Sequence, residues 1–527
     1  MNIELLNEPL LEFGNDFLCD DPKTGITRGG FFSLTSSNHR SEIHYGIVGT
    51  NFGIEKTIEW VNSMSVRIEA SITEIEEKIE ANIEDGEVTD MEITFDEEVD
   101  LIERSEDFNE GEDLRPSIQK KTLNPDFPGF NQDTSFKCSF VNDNDNNMAI
   151  KQLKLNAILE DTDIKSFDKA VRVCDLYIEA FKAIVDRSMS APNVVFLVIP
   201  AEVFKKLSSL PYKKGQNFNL RRYLKAQIIA CQKAIPVQII LEDTVLQKKR
   251  SMQDLSMQAW NLIVANYYKN NGIPWTLSLN DKHTCFIGIS FNKVINGEAH
   301  LVRSSVAQAF NYEGKGIVFI GKQFEWDVKE MNTPAPHLTY DYSKDLIQRV
   351  ISEYKSYNHN LPPKRVVIHK TTDFWNSSIN KDYAETEGLK DGIRNMLGDD
   401  VEIDLVTIKS SPIKLLRMNG DTYPVIRGVL CSLSKSEGIL YTTGYIPYYE
   451  TFPGSHIPHP LDISIVEGES TLKKVCEEIL ALTKMNFNNC NYYDSLPITI
   501  RFAKKVGEII QYMEEGVVPP NKYYHYM

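Results

Sequence analysis

The stretch that decides the fold is TCFIGISF at 284–291, followed by EAHLVRSSVAQAF at 298–310 and GIVFIGKQF at 316–324. Each run is short, rich in β-branched and aromatic residues, and flanked by polar or glycine-containing breaks, so each reads as a strand. Downstream the period changes. Residues 343–357 carry apolar side chains at helical spacing, and RVVIHK at 365–370 is again a strand. A helix fits 382–397, and VEIDLVTI at 401–408 is a further strand. TLKKVCEEILALTK at 471–484 and LPITIRFAKKVGEIIQYM at 496–513 are helical.

Three successive strands followed by alternating helix and strand is the order of an RNase H-like sheet. Upstream of it lies another alternation. FDKAVRVCDLYIEAFKAIVD at 167–186 is an amphipathic helix, NVVFLVIP at 193–200 a buried strand and AEVFKKL at 201–207 helical. LRRYLKAQIIACQKA at 220–234 is a helix, IPVQIIL at 235–241 a strand and 251–269 a third helix. This pattern predicts a parallel, Rossmann-like sheet, with ligands beyond the carboxyl ends of its strands. The expected class is therefore α/β. The expected units are a mixed N-terminal region over 1–150, a Rossmann-like domain over 151–275 and an RNase H-like domain over 276–527. Residues 104–150, rich in Asn, Asp, Gly and Pro, read as loop.

A chain of 527 residues and 60.2 kDa holds two to four domains at roughly 100–200 residues each. With 42% hydrophobic and 25% charged residues it is neither collagenous, coiled-coil nor wholly disordered. No run reaches the roughly 18 apolar residues that span a bilayer, so no membrane partner is expected. The first residues lack a secretory pattern, and eight cysteines without a CxxC pair read as reduced thiols of a cytoplasmic protein. The net charge of −17 is concentrated. Residues 69–113 hold 20 acids against Lys78 and Arg104, with Ile72, Ile75, Ile79 and Ile83 at helical spacing. This segment reads as a solvated insertion, or as a shield for a basic groove or partner. Residues 205–250 hold 11 Lys or Arg against Glu242 and Asp243. That is the footprint phosphate binding needs, although a single charge run is more often a solvated face.

The stretch from about 193 to 527 resembles the MID and PIWI domains of prokaryotic Argonaute proteins. The matching pieces are IPVQ at 235–238, KNNGIPW at 269–275, FIGIS at 286–290, VVIHKTTDFW at 366–375, HIPHPLDI at 456–463 and LPITIRFAKKVG at 496–507. EPLLEFG at 8–14 and DPKTGITRGGFF at 21–32 look like the opening of a short prokaryotic Argonaute. The resemblance makes 151–275 the MID domain and 276–527 the PIWI domain. It implies a guide 5′-phosphate pocket built by Arg221, Lys225, Gln238 and Lys269. Arg221 and Lys225 stand four apart on one helix face, and Arg offers phosphate a planar fork where Lys offers a point charge. Gln238 is expected at its strand's carboxyl end. Singly, each residue has a plainer reading: a solvated face for Arg221 and Lys225, a loop cap for Gln238, a helix-dipole partner for Lys269. Ala265 stands where the family often has a further polar residue. Related proteins bring their C-terminal carboxylate to this pocket through a divalent cation, which here implies Mg2+ held by Met527 and Gln238.

PIWI nucleases cut with acids around two divalent ions, and hard cations need carboxylate oxygens. The first acid position is Ser290, the second Thr371 and the last Lys504. The fourth is unplaced, with Glu313 the one candidate and Asp373 two residues off register. The expectation is a non-enzymatic PIWI domain; a nuclease with a displaced site using Asp373 is the alternative. His456 and His459 read as loop or channel residues, Arg222 and Lys233 as basic surface, and Trp260, Tyr267, Tyr268, Trp275 and Phe286 as core or domain interface. The resemblance further implies a guide RNA, complementary invading single-stranded DNA as target, and a heterodimer with an APAZ-domain effector. A TIR-APAZ NAD-hydrolysing protein is the expected partner, with sirtuin-like or nuclease effectors as alternatives. Higher-order assembly on activation would follow.

Overall fold

The computed structural model describes residues 2–70, 123–187, 191–211, 217–233, 235–248, 253–278, 283–293, 301–310, 316–358, 360–413, 424–454, 457–513, 517 and 520–527. The acidic segment lies outside these from residue 71 onward, as do Glu313, His456, Lys213, Lys214, Lys249 and Arg250.

Nine strands form one mixed sheet. Within it Thr284–Lys293 runs antiparallel to Leu301–Phe310 and parallel to Arg365–Lys370. On one side Leu301–Phe310 pairs with Gly316–Glu325 at the edge. On the other, Arg365–Lys370 runs parallel to Glu402–Ser410, which meets Leu461–Glu467 antiparallel. Glu437–Leu440, Val429–Ser432 and Asn2–Leu5 complete the sheet. Every residue of Arg365–Lys370 is buried because helices cover both faces. Ile287, Ile289, Ile368 and Leu405 pack under helices Tyr340–Tyr357 and Glu385–Leu397. Phe286, Val367 and Val406, one residue out of phase, share the main core with Phe502 and Val506 of helix Ile498–Ile510. That helix comes so close that a Cβ on Gly288 would meet the Thr499 carbonyl, which explains the glycine in FIGIS.

The second sheet has four parallel strands in the order Ser139–Ala149, Glu42–Gly49, Val194–Ile199, Val237–Leu241. It has the expected parallel character, but half its strands precede residue 150. The expected boundary there runs through the sheet, and Asn2–Leu5 belongs to the larger one, so residues 1–150 do not form a separate unit. The loop expected over 104–150 likewise contains the strand Ser139–Ala149. Its amides do the pairing. Asn142 and Asn147 exchange side-chain hydrogen bonds of 3.1 and 2.8 Å. Asn147 Oδ1 accepts the Ile47 N–H at 3.0 Å, where the register shifts between Tyr45 and Ile47. Tertiary pairing thus overrides a poor strand composition.

The two sheets meet through their helices. Asn219 caps Leu220–Ala230 by accepting the Arg222 N–H at 3.1 Å. Arg222, expected as open basic surface, instead pairs with Glu508 of the terminal helix at 2.8 Å. Gln227 donates to the Tyr512 carbonyl at 3.1 Å. Among the described residues, no helix is long and apolar enough to cross a membrane.

Candidate functional site

Lys225 sits on helix Leu220–Ala230 and Lys269 ends helix Leu255–Lys269. Only 5% and 1% of these residues is exposed. Both ammonium groups donate to one atom, the Val237 carbonyl oxygen, at 2.9 and 3.1 Å. Lys269 also donates to Gln238 Oε1. Two ammoniums sharing an acceptor stand no more than about 6 Å apart, where at an effective dielectric of about 20 they repel by about 3 kcal/mol. Other cations aggravate this. Burial, with Lys505 beside it, pushes Lys225 down to about 7. Burial, Lys225 and Lys505 hold Lys269 well below the ordinary lysine range. Burial and the charges of Lys225, Lys522 and Lys269 push the His525 imidazole down to about 3. The arrangement suits a bound anion: a phosphate would turn the repulsion among these groups into attraction and replace the lost hydration.

The structure thus brings together Lys225, Gln238 and Lys269 of the four expected residues. Arg221, one turn earlier on the same helix, has its guanidinium 5.7 Å over the Phe204 ring. The pocket's position corrects an expectation. Val237 and Gln238 open their strand, so the lysines gather at its amino end. At the carboxyl end Glu242 follows, its carboxylate accepting the Ala201 N–H at 3.3 Å, which disfavours an anion there. Lys505, Lys522 and His525 were not singled out from sequence. They come from segments more than 200 residues beyond Gln238, and only the KK pair in LPITIRFAKKVG hinted at Lys505.

Met527 is 7% exposed, in a closing segment well anchored to its surroundings. The Val318 N–H donates to the Asn521 carbonyl at 2.6 Å, and the Tyr523 ring stacks on Phe502 at 3.6 Å. For the expected Mg2+, Gln238 Oε1 and a terminal carboxylate are oxygen donors of the right hardness. Two protein oxygens make a partial shell, so phosphate oxygens must complete it, and Gln238 Oε1 is here engaged by Lys269. Among the described residues, no group of three or more His, Cys, Asp or Glu is placed to hold a metal.

Of the positions where acids were expected, Ser290 follows Gly288 by two residues on its strand, and Thr371 follows the strand end at Lys370. Gly288 and His369 face helix Ile498–Ile510, which carries Lys504. His369 Nδ1 lies 2.8 Å from Thr499 Oγ1. Burial, with Arg365 nearby, pushes His369 down to about 3, so it is neutral at physiological pH. Ser290 is buried and Thr371 exposed. Behind them, on the other face, Lys370 and Glu385 are fully buried and bonded at 2.7 and 2.6 Å. Lys370 also donates to the Asp373 carbonyl at 3.0 Å. His337 stands 3.6 Å from Glu385 and stacks on Trp375 at 3.9 Å. Asp373 Oδ1, the acid that a displaced site would need, accepts from Lys409 at 2.7 Å in an exposed pair.

Taken together, the Rossmann-like sheet, the RNase H-like sheet and the lysine pocket between their helices define an Argonaute-like architecture. No protein-family model matches the chain. A curated Argonaute from Aquifex aeolicus (strain VF5) is 22% identical over 340 residues, covering 63% of this chain and 40% of that protein. The solved structure of Clostridium butyricum Argonaute, bound to a guide DNA with a 5′ deoxycytidine and a 19-mer target DNA, matches with a TM-score of 0.58. Identity there is 16%, over 99% of this chain and 54% of that one. Drosophila Piwi matches with a TM-score of 0.55 at 11% identity, over 99% of this chain and 56% of that one. The chain therefore spans about half the length of the proteins it matches. At these identities the likeness shows the fold: a mixed α/β fold of Argonaute and Piwi proteins, which have MID and PIWI domains.

Proposed function

We propose that this chain is a short, non-slicing Argonaute that binds a 5′-phosphorylated guide RNA and uses it to recognise complementary invading single-stranded DNA. One observation carries the reading. Lys225 and Lys269 are buried together on one carbonyl, with further cations as their charged neighbours. Such a cluster is costly in an empty protein and fits a terminal phosphate. Gln238 joins them, and Arg221, one turn before Lys225 on the same helix, would reach the phosphate on loading, in a MID domain whose strands include Glu42–Gly49 and Ser139–Ala149. When bound, Mg2+ would be held by Gln238 and the Met527 carboxylate and would offset repulsion between that carboxylate and the guide phosphate. A tag beyond Met527 weakens guide binding on this account; unchanged affinity would remove the cation from it.

Target cutting is not part of the proposal. Ser290, Thr371 and Lys504 offer no carboxylate where the two-metal mechanism needs them, and Lys504 would repel cations. Asp373, the acid of the alternative displaced site, is engaged with Lys409 in an exposed pair. Base pairing then reads the sequence while the protein grips backbone and ends. The output lies in a cytoplasmic partner, an APAZ-domain effector of the TIR type, switched on by target pairing to deplete NAD. The test is copurification with the protein encoded beside this chain, followed by an NAD assay on adding complementary single-stranded DNA. Small 5′-phosphorylated RNA with target-triggered NAD loss is the expected result. Bound RNA without NAD loss would replace the TIR effector by a nuclease, and the absence of small RNA would overturn the whole reading.

A further inference from the structure

A cleft of about 440 Å³ is lined by Gln232, Lys233, Asn521, Lys522, Tyr524 and His525. Its lining carries two lysines, Lys233 and Lys522, and no acid, in a chain of net charge −17. Three links tie it to the buried lysine cluster. Gln232 and Lys233 lie just beyond the helix that carries Lys225. Lys522 Nζ is 3.4 Å from Asn271 Oδ1, two residues past Lys269. His525 lines the cleft while Lys225, Lys269 and Lys522 all act on its ring. The cations are also adaptable. Lys233 pairs with Asp186 at 2.7 Å in an exposed bridge, which a phosphate can displace at little cost. Lys522 lies 5.5 Å over the Tyr524 ring and contacts a neutral amide.

We propose that this cleft takes the phosphate groups beyond the first on a polyphosphorylated RNA 5′ end, so that the chain binds a 5′-triphosphate guide more tightly than a 5′-monophosphate one. The inference rests on the guide-pocket reading above. With the first phosphate among Lys225, Gln238 and Lys269, the next two need an outlet that is cationic and still hydrated. Lys522 and Lys233 supply point charges there, and the amides of Gln232 and Asn521 supply neutral donors. The rival source of the same chemistry is an internal phosphodiester of the guide, and the experiment separates the two.

Binding of one RNA sequence with a 5′-hydroxyl, a 5′-monophosphate or a 5′-triphosphate is titrated against the full chain, its Lys522→Ala variant and its Lys233→Ala variant. All are checked for an unchanged melting curve. The expected result for the unsubstituted chain is about tenfold tighter binding of triphosphate than of monophosphate. Lys233→Ala should reduce that step while leaving the monophosphate-over-hydroxyl preference intact, and Lys522→Ala should abolish it. Triphosphate binding no tighter than monophosphate would overturn the inference alone. So would a Lys522→Ala loss that is equal for all three RNAs, which would assign the cleft to an internal phosphate. If the unsubstituted chain did not prefer monophosphate over hydroxyl, the guide-pocket reading would fall, and this inference with it.

Discussion

Two sets of buried lysines divide the molecule. Lys370 is fully buried against Glu385, with the Asp373 carbonyl as a further acceptor and the rings of Phe291 and Phe374 at 5.3 and 5.1 Å. Lys225 and Lys269 are also buried, yet they share one carbonyl, and the charges that shift them are those of Lys505 on both and of Lys225 on Lys269. The first arrangement is complete as it stands. Its charges face each other, with burial still holding Lys370 below the ordinary lysine range, and it joins the sheet to the helix Glu385–Leu397 behind Ser290 and Thr371. The second is incomplete until something negative arrives. Burial alone therefore says little about function; what neutralises the buried charge separates a structural pair from a binding site.

The largest effect should come from breaking the complete pair. Glu385→Ala leaves Lys370 buried and uncompensated and should cost about 3–5 kcal/mol in denaturant unfolding. A loss below about 1 kcal/mol would mean that Lys370 escapes to water, and the contrast would lose one side. Next comes the incomplete set. Lys225→Ala with Lys269→Ala should weaken 5′-phosphorylated RNA by roughly 100-fold or more in equilibrium titration, two charge-assisted contacts being lost. Binding of 5′-hydroxyl RNA should change much less.

A smaller effect lies in pH. Lys225 falls from 10.5 to about 7 on folding, so between those values the unfolded chain binds the extra proton. Its contribution makes the free protein more stable as pH rises through that window, and the penalty is fully present below about pH 7. Lys225→Met should flatten that part of the stability curve and be at least as stable as the parent at pH 7. A steeper curve would show that the lysine is neutralised inside the fold. The smallest effect belongs to the exposed Asp373–Lys409 pair. Lys409→Ala should change stability by less than about 1 kcal/mol. It should also leave target DNA intact in the presence of Mg2+; guide-dependent cutting on releasing Asp373 would revive the displaced active site.

The sequence made the centre of the large sheet legible, because TCFIGISF and RVVIHK are short, apolar and cleanly bounded. It also brought Lys225, Gln238 and Lys269 into consideration together, and they do meet. The strand Ser139–Ala149 was illegible for a physical reason. SFVNDNDNNMA has loop composition, and its asparagines become strand residues only when Glu42–Gly49 lies alongside, where the Tyr45 carbonyl accepts from Asn142 and the Ile47 N–H donates to Asn147. The amino-end location of the pocket was hidden because periodicity gives a strand's existence but not which end its neighbours' lysines reach. Lys505, Lys522 and His525 carry no local pattern, and only the docking of the terminal helix and closing segment against helix Leu220–Ala230 brings them near. The Lys370–Glu385 pair was missed similarly, since 15 residues separate two charges that sequence alone would place in solvent.

The most direct test loads the full chain with 5′-phosphorylated guide RNA, adds labelled complementary single-stranded DNA and Mg2+, and follows retention and length of the DNA together. The account predicts that the DNA is retained at full length, and that retention depends on complementarity and on the guide's 5′ phosphate. Guide-directed shortening of the DNA, or retention indifferent to that phosphate, would contradict it.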